Sequence, residues 1–255
     1  MTVKVGIIGG SGLDNPDFLS NARDTYSGTQ WGEPSAPIRE GDIEGVPVAL
    51  LARHGRNHTL SPSAVNYRAN VQALRNAGCT HILATTAVGS LREEIGRGDL
   101  VIIDQFIDFT RQRKMTYHEY FSPHAAVHTP MADPYDQQLR EVFIRACSER
   151  GYAFHPAGTV ITIEGPRFST RAESHMFRSW GADIINMSIA TETILANELG
   201  IPYAAIGMST DYDCWKCDEH PVSWEEICRV FQNNAEKVTT ILRDSIPLIA
   251  AAVGR

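Results

Sequence analysis

The sequence has little of what would mark a secreted scaffold, a membrane protein or a nucleic-acid binder. Its 255 residues hold only five cysteines, Cys79, Cys147, Cys214, Cys217 and Cys228. They are too few and too scattered for a disulfide framework, so reduced thiols and a cytoplasmic setting are expected. Long apolar runs are lacking: Val46–Ala52 and Ile246–Val253 fall far short of the ~20 residues that a membrane-spanning helix needs. Met1–Lys4 leads straight into an apolar strand, so no signal peptide is expected. Positive charge is in deficit, with 23 Lys and Arg against 30 Asp and Glu and a formal net charge of −7. A dedicated nucleic-acid partner needs a basic stripe, and neither that nor a membrane partner is expected. The deficit leaves room for one small anion, held by a few local cations and backbone N–H groups. Internal repeats and low-complexity linkers are also lacking, so residues 1–255 are expected to form a single domain.

What is present is an alternation of short β-branched runs with longer amphipathic ones. Strands are expected at Val3–Ile8, Val46–Ala52, His81–Thr86, Leu100–Ile107, Thr159–Ile163, Ile184–Met187 and Tyr203–Ser209. Helices are expected at Ser63–Ala77, Gln137–Arg150, Thr170–Trp180, Thr191–Leu199 and Trp224–Arg243. Glycines close three of them, and Thr170/Glu173 and Ser223/Glu226 form capping boxes. Residues 109–135 read as long loops, which in a compact enzyme often lie over a site. The pattern predicts an α/β fold: a central mixed, largely parallel β-sheet flanked by helices.

Small and polar residues gather at the carboxyl ends of the predicted strands, where open α/β sheets place their ligand crevice. Gly9-Gly10-Ser11-Gly12 follows the first strand; it lacks the third glycine of a dinucleotide fingerprint and the Lys of a Walker loop. It fits an anion-facing turn or a plain tight turn. Arg53-His54-Gly55-Arg56-Asn57-His58 sets two guanidiniums and two imidazoles together after an apolar strand, which favours an oxyanion site over a solvated basic turn. Thr85-Thr86-Ala87-Val88-Gly89-Ser90 ends a strand in hydroxyls; good strand formers explain it equally well. Asp211-Tyr212-Asp213 puts two carboxylates on alternate residues, both able to face one pocket and to raise each other's pKa, as a general acid requires. A divalent-cation loop is disfavoured, because Cys214-Trp215-Lys216 follows. Cys214-x-x-Cys217 with His220 has irregular spacing for zinc, so no metal is expected.

In order, the motifs are Gly-Gly-Ser-Gly-Leu-Asp from Gly9, Leu-Ala-Arg-His-Gly-Arg-Asn-His-Thr from Leu51 and Thr-Thr-Ala-Val-Gly-Ser-Leu-Arg-Glu-Glu from Thr85. Asp-Gln-Phe-Ile-Asp from Asp104, Ile-Glu-Gly-Pro-Arg-Phe-Ser-Thr-Arg-Ala-Glu-Ser from Ile163, Trp-Gly-Ala-Asp-Ile-Ile-Asn-Met-Ser from Trp180 and Thr-Asp-Tyr-Asp-Cys-Trp from Thr210 follow. Over residues 4–245 the chain resembles the methylthioadenosine phosphorylase family, within the purine nucleoside phosphorylase superfamily.

The resemblance implies a nucleoside phosphorylase-like fold and phosphorolysis of 5′-methylthioadenosine to adenine and 5-methylthioribose 1-phosphate, in purine and methionine salvage. Inorganic phosphate is then a co-substrate, and no cofactor is implied. By resemblance, Ser11, Arg53, His54, Thr86, Ala87 (through its N–H) and Ser188 hold phosphate. Met187 lies under the ribose and Phe168 packs on the base. Asp211 serves purine N7 and the exocyclic amine, with Asp213 behind it. Trp224 and Ile227 border the 5′ substituent. His128 reaches a neighbouring subunit's site in a homotrimer, or in a hexamer of paired trimers. Relatives acting on 6-oxopurines carry Asn at the Asp211 position, so Asp211 favours a 6-aminopurine. The alternatives are a phosphorylase preferring methylthioinosine, inosine or adenosine, a hydrolase and a non-catalytic nucleotide sensor. Thr191 stands where the family usually has Pro, and Trp224 where it tends to have a small aliphatic residue.

Overall fold

In a computed structural model, residues 2–10, 18–26, 28–218 and 223–253 are described, without the side chains of residues 224, 226, 231, 233 and 253. The first part of the chain runs β1 (Val5–Gly9), β2 (Ser20–Thr25), β3 (Ile38–Ile43), β4 (Val46–Ala52), α1 (Tyr67–Asn76), β5 (His81–Ser90), β6 (Leu100–Ile102) and β7 (Gln105–Phe109). It continues with α2 (Gln137–Arg150), β8 (Phe154–His155), β9 (Thr159–Ile163), α3 (Arg171–Ser179), β10 (Ile184–Asn186), α4 (Ile189–Glu198), β11 (Tyr203–Asp211) and α5 (Trp224–Val253).

The strands form one mixed sheet in the order β2-β3-β4-β1-β5-β10-β9-β7, with β11 branching from β5 and carrying β6 and β8. Pairing is parallel along β4-β1-β5-β11, in β10-β9-β7 and in β6-β8. It is antiparallel at β2-β3-β4, β6-β11 and β5-β10. The expected mixed, largely parallel sheet is therefore what forms.

The core follows from the two-residue period of a strand. Val5 and Ile7 of β1, Val48 and Leu50 of β4 and Leu83 of β5 point to one face, where Phe143 of α2 and Ile241 and Ile246 of α5 cover them. Ile8, Ala49, Leu51, Ile82 and Ala84 point to the other, under Val71 and Leu74 of α1 and Leu195 of α4. A smaller cluster joins Ile161, Ile163 and Ile185 to Phe177 of α3.

Several expectations shift. β5 does not stop at Thr86 but runs to Ser90, because β11 continues to pair with it beyond that point. The expected strand Leu100–Ile107 is two strands at different places in the sheet, β6 beside β11 and β7 beside β9. β2 and β3 were invisible: β2 reads Ser-Asn-Ala-Arg-Asp-Thr and is almost wholly exposed, an edge strand with no apolar face to betray it. α5 runs through Pro247 to Val253 rather than ending at Arg243, with Ile246 and Ile249 buried either side of the proline. Tertiary packing there outweighs the hydrogen bond that proline removes. The 109–135 segment carries no named helix or strand beyond Phe109.

Two helix ends form as expected, whereas α1 begins at Tyr67 and not Ser63, and the Glu226 side chain of the second expected capping box lies outside the described residues. The Thr170–Glu173 capping box forms, and α2 ends at Gly151 in the left-handed region, φ 65°. Asp136 caps α2 through a 2.9 Å hydrogen bond from the Leu139 N–H. Asp136→Ala is expected to lower the unfolding free energy by about 1 kcal/mol, measured by urea denaturation.

Candidate active site

Because β10 runs against β5, its carboxyl end returns toward Thr86 instead of leaving the sheet. The ends of β1, β4, β10 and β11 thus converge on the second half of β5. They enclose a cavity of about 480 Å³ lined by Arg53, His54, Thr86, Ala87, Phe168, Met187, Ser188, Asp211, Asp213 and Ile227, all expected site residues. Ser11 lies outside the described residues, as does the side chain of Trp224.

At one end stands Arg53, 1 % exposed. A buried guanidinium needs a counter-charge, and Glu192, wholly buried in the first turn of α4, supplies it. Arg53 Nε–H and Nη2–H both donate to the Glu192 carboxylate, and Nη1–H donates to the Thr85 carbonyl at 2.9 Å. Tyr203 Oη–H also donates to Glu192 at 2.9 Å. Burial works against the Arg53 charge, and the Glu192 carboxylate more than offsets it, raising the Arg53 pKa.

This corrects one expectation. The planar fork of Arg53 is taken by Glu192, which leaves one N–H on each Nη for an outside oxyanion. Arg56, the other guanidinium of the basic cluster, is not in the cavity; it pairs with Asp24. Gly10 is required at its place: a Cβ there would lie 2.8 Å from Arg53 Nη1 and 2.9 Å from the Thr85 carbonyl oxygen.

Beside Arg53 lies the N-terminus of α4. Ser188 occupies the N-cap, 4 % exposed, and its side chain makes no capping hydrogen bond. The hydroxyl and the positive end of the helix both bear on the cavity. Thr191, wholly buried, lies in the first turn of α4, and the Ala190 N–H before it donates to Thr162 Oγ1 at 3.1 Å. His54 completes this end, stacked on His58 with ring centroids 4.5 Å apart.

The floor is held by Asn186. Its amide donates to Thr86 Oγ1 at 3.4 Å, and its oxygen accepts from Thr162 Oγ1 at 2.8 Å and from the Ser188 N–H at 3.4 Å. Met187 follows, and its carbonyl accepts from Tyr67 Oη. Arg113 in turn donates to Tyr67 Oη at 3.1 Å and pairs with Glu164. Gly165, φ 64°, admits the Met187 side chain, whose Sδ would be 2.5 Å from a Cβ there.

At the other end are the two acids. Burial pushes the Asp211 carboxyl up to about 6, with the charge of Asp213 adding to the rise. Burial raises Asp213 as well. Alternate strand positions do not explain their shared direction: β11 ends at Asp211, and Asp213 sits in a left-handed turn, φ 47°. The Asp213 N–H folds back onto Asp211 Oδ1 at 2.8 Å, and Thr210 Oγ1–H donates to Asp211 Oδ2 at 2.8 Å. Gly89 makes room, since a Cβ there would lie 2.9 Å from Asp211 Oδ1. Phe168, 39 % exposed, stands at the rim, and buried Ile227 comes from the start of α5.

His128 is not brought into this cavity. It lies in the loop region with its ring 5.6 Å from Phe121, lining a separate hollow with Ile194 and Glu198. Cys214 donates to the Ser169 carbonyl and Cys217 is exposed, both as free thiols. Among the described residues no group of three or more His, Cys, Asp and Glu side chains is arranged to hold a metal ion, and no helix is long and apolar enough to cross a membrane. Glu192, Asn186 and Gly89 were missed as site-shaping residues. Glu192 alone had a signal: it is a lone acid inside the apolar run Ile189–Ala196, which calls for a buried cation.

The cavity thus offers cationic and hydroxyl donors at one end and a protonatable acid at the other. Thr86 marks the first and Gly89 the second, three residues and so about 10 Å apart along β5. The chain belongs to the phosphorylase superfamily, whose sequence profile matches residues 4–247. Within it, the chain is 54% identical over 253 residues to S-methyl-5′-thioadenosine phosphorylase of Xenopus tropicalis, covering 98% of this chain and 90% of that one. The corresponding Danio rerio enzyme is 51% identical, with 97% and 89% covered. The methylthioadenosine phosphorylase of Schistosoma mansoni, solved with adenine, superposes with a TM-score of 0.94 at 40% identity, covering 98% of this chain and 93% of that one.

Glu192→Gln leaves a buried guanidinium without its charge partner. It is expected to cost about 3–5 kcal/mol of unfolding free energy, read from denaturant titration. A loss below ~1 kcal/mol would show that Arg53 does not lean on Glu192.

Proposed function

We propose that this cavity carries out phosphorolysis of 5′-methylthioadenosine, giving adenine and 5-methylthioribose 1-phosphate. The observation that carries the reading is the pairing of an oxyanion end with an acid end in one apolar-walled cavity, about 10 Å apart along β5. Curated relatives bear this activity in their names at about half identity over nearly the whole chain.

Phosphate sits between the free Arg53 N–H groups, the Ala87 N–H and the hydroxyls of Thr86 and Ser188, with His54 beside it; Ser11 is assigned to the same subsite by resemblance. One phosphate oxygen faces the anomeric carbon. As the C–N bond lengthens, the sugar gains positive charge and the purine negative charge. The bound phosphate stabilises the first, and a proton from Asp211 to purine N7 neutralises the second. The C–N electron pair leaves with the base, and the phosphate oxygen forms the new bond. Met187 underlies the ribose and Phe168 covers the base. Asp213 props Asp211 and adds to its raised pKa. Ile227, with Trp224, faces the 5′ group, and an apolar wall there suits a thioether better than a hydroxyl. With its proton turned to N7, the Asp211 carboxyl accepts from the N6 amine of adenine through its other oxygen, which repels a 6-oxo group. No cofactor takes part. We assign the assembly as a homotrimer in which His128 serves the site of a neighbouring copy.

Turnover is expected to require added phosphate and to favour methylthioadenosine over methylthioinosine. A steady-state panel varied at the 6- and 5′-positions checks both, and cleavage in phosphate-free buffer sinks the reading in favour of a hydrolase. Asp211→Asn is expected to lower kcat about 10²–10⁴-fold. Because Asp211 acts in its protonated form, kcat/KM of the wild type falls as pH rises through about 6, and the Asn variant loses this limb. The same raised pKa means the folded state holds this proton more tightly than the unfolded chain. The stabilising contribution is full below the ordinary carboxyl value of 3.8 and lost as pH rises through about 6. Asp211→Asn should therefore raise Tm most above that pH.

A further inference from the structure

His54 stands next to Arg53 at the oxyanion end, yet its hydrogen bonding is unlike that of a cationic ligand. Its Nδ1 lies 2.9 Å from the Leu60 carbonyl oxygen. A carbonyl only accepts, so Nδ1 carries the hydrogen. The Leu60 N–H returns a bond to the His54 carbonyl at 3.1 Å, and the His58 ring stacks on His54 with an interplanar angle of 26°. The Leu60 carbonyl thus fixes the tautomer, and the His58 stack holds the ring's direction. The opposite ring edge, Nε2, forms no hydrogen bond among the described residues and belongs to a side chain that lines the cavity.

The neighbours decide the charge of the ring. The titratable and charged groups that act on it are Arg53, His58 and Arg113, and none of them is an acid. Burial first, and the Arg53 charge second, hold the His54 pKa down at about 4. Near neutral pH the ring is an imidazole whose Nε2 presents a lone pair.

Resting on the reading of this end as a phosphate subsite, we infer that His54 is a hydrogen-bond acceptor that selects oxyanions carrying a hydroxyl. Monohydrogen phosphate and arsenate each have one O–H to give it. Sulfate near neutral pH has only acceptor oxygens, so its approach sets an oxygen lone pair against the Nε2 lone pair, or forces the buried ring to take up a proton. The same contact sorts the phosphate oxygens. With its hydroxyl turned to His54, the anion offers deprotonated oxygens to Arg53, Ala87 N–H and the anomeric carbon. The hydroxyl stays on phosphorus through the reaction: the new C–O bond forms from a deprotonated oxygen, the C–N pair leaves with the purine, and Asp211 supplies the proton that N7 takes. His54 thus determines which anion attacks and through which oxygen.

The test is calorimetric titration of the whole protein with phosphate, arsenate and sulfate, without nucleoside, between pH 7.5 and 9. Sulfate is expected to bind roughly tenfold to a hundredfold more weakly than phosphate, the span of a hydrogen bond to a charged group. The preference should persist at pH 9, where free phosphate is almost wholly the monohydrogen anion and the ring stays uncharged. In His54→Phe and His54→Ala the preference for phosphate over sulfate should collapse to within about threefold, because the acceptor is gone. Wild-type protein that binds sulfate as tightly as phosphate overturns the inference. An undiminished preference in both variants overturns it as well. The wild-type comparison of the two anions needs no variant and so survives misfolding of either. Failure of the phosphorolysis reading itself shows separately, as turnover that ignores phosphate.

Discussion

The Arg53–Glu192 pair is the constraint on which the site depends. Two opposite charges almost without solvent contact are costly unless both are matched in geometry and in hydrogen bonds. Here the carboxylate accepts from Arg53 and from Tyr203, and the guanidinium also donates to the Thr85 carbonyl. Those contacts tie the end of β4 to the first turn of α4, to the start of β11 and to the middle of β5. The glycine at position 10 follows from the same constraint, because any side chain there meets the guanidinium. What remains on Arg53 is a pair of N–H groups held in a fixed direction beside a helix N-terminus. A flexible surface arginine would have to be ordered on binding; this one is ordered by the fold.

β5 acts as a ruler between this end and the acids. It carries Thr85 and Thr86 where Arg53 and Asn186 meet it, and Gly89 where Asp211 lies against it. The two ends are electrostatically different because they are separated and, though both are buried, differently partnered. A matched ion pair keeps Arg53 charged, whereas burial outweighs the Thr210 and Asp213 hydrogen bonds and the Arg97 charge and lets Asp211 hold its proton near pH 6. Permanent positive charge and a labile proton are the two things that cleavage of an N-glycosidic bond by an anion requires, and one strand spaces them.

Much of this was legible in the residues. Arg53, His54, Thr86, Met187-Ser188 and Asp211 were readable as strand-end groups, since each follows a short apolar run. Capping residues at Thr170 and glycine at 151 marked helix ends through local chemistry that does not depend on the rest of the fold. The misses have physical causes. β2 is a solvent-facing edge strand without apolar alternation. The splitting of Leu100–Ile107 depends on which strands it meets. The passage of α5 through Pro247 depends on the apolar face that the sheet offers it. Asp213 was read correctly as a cavity residue for the wrong reason, since a left-handed turn, not strand alternation, aims it.

By itself the sequence determined the α/β class, the chemistry available at each strand end and the family to which the chain belongs, because these rest on local periodicity and on residue types in order. Only the tertiary structure decided that Glu192, 139 residues beyond Arg53, occupies its fork. The same holds for the donor face that His54 turns to Leu60 and for the depth at which Asp211 is buried. Charge pairing, tautomer and pKa depend on distance and solvent exclusion, and those are properties of chain segments brought together in space.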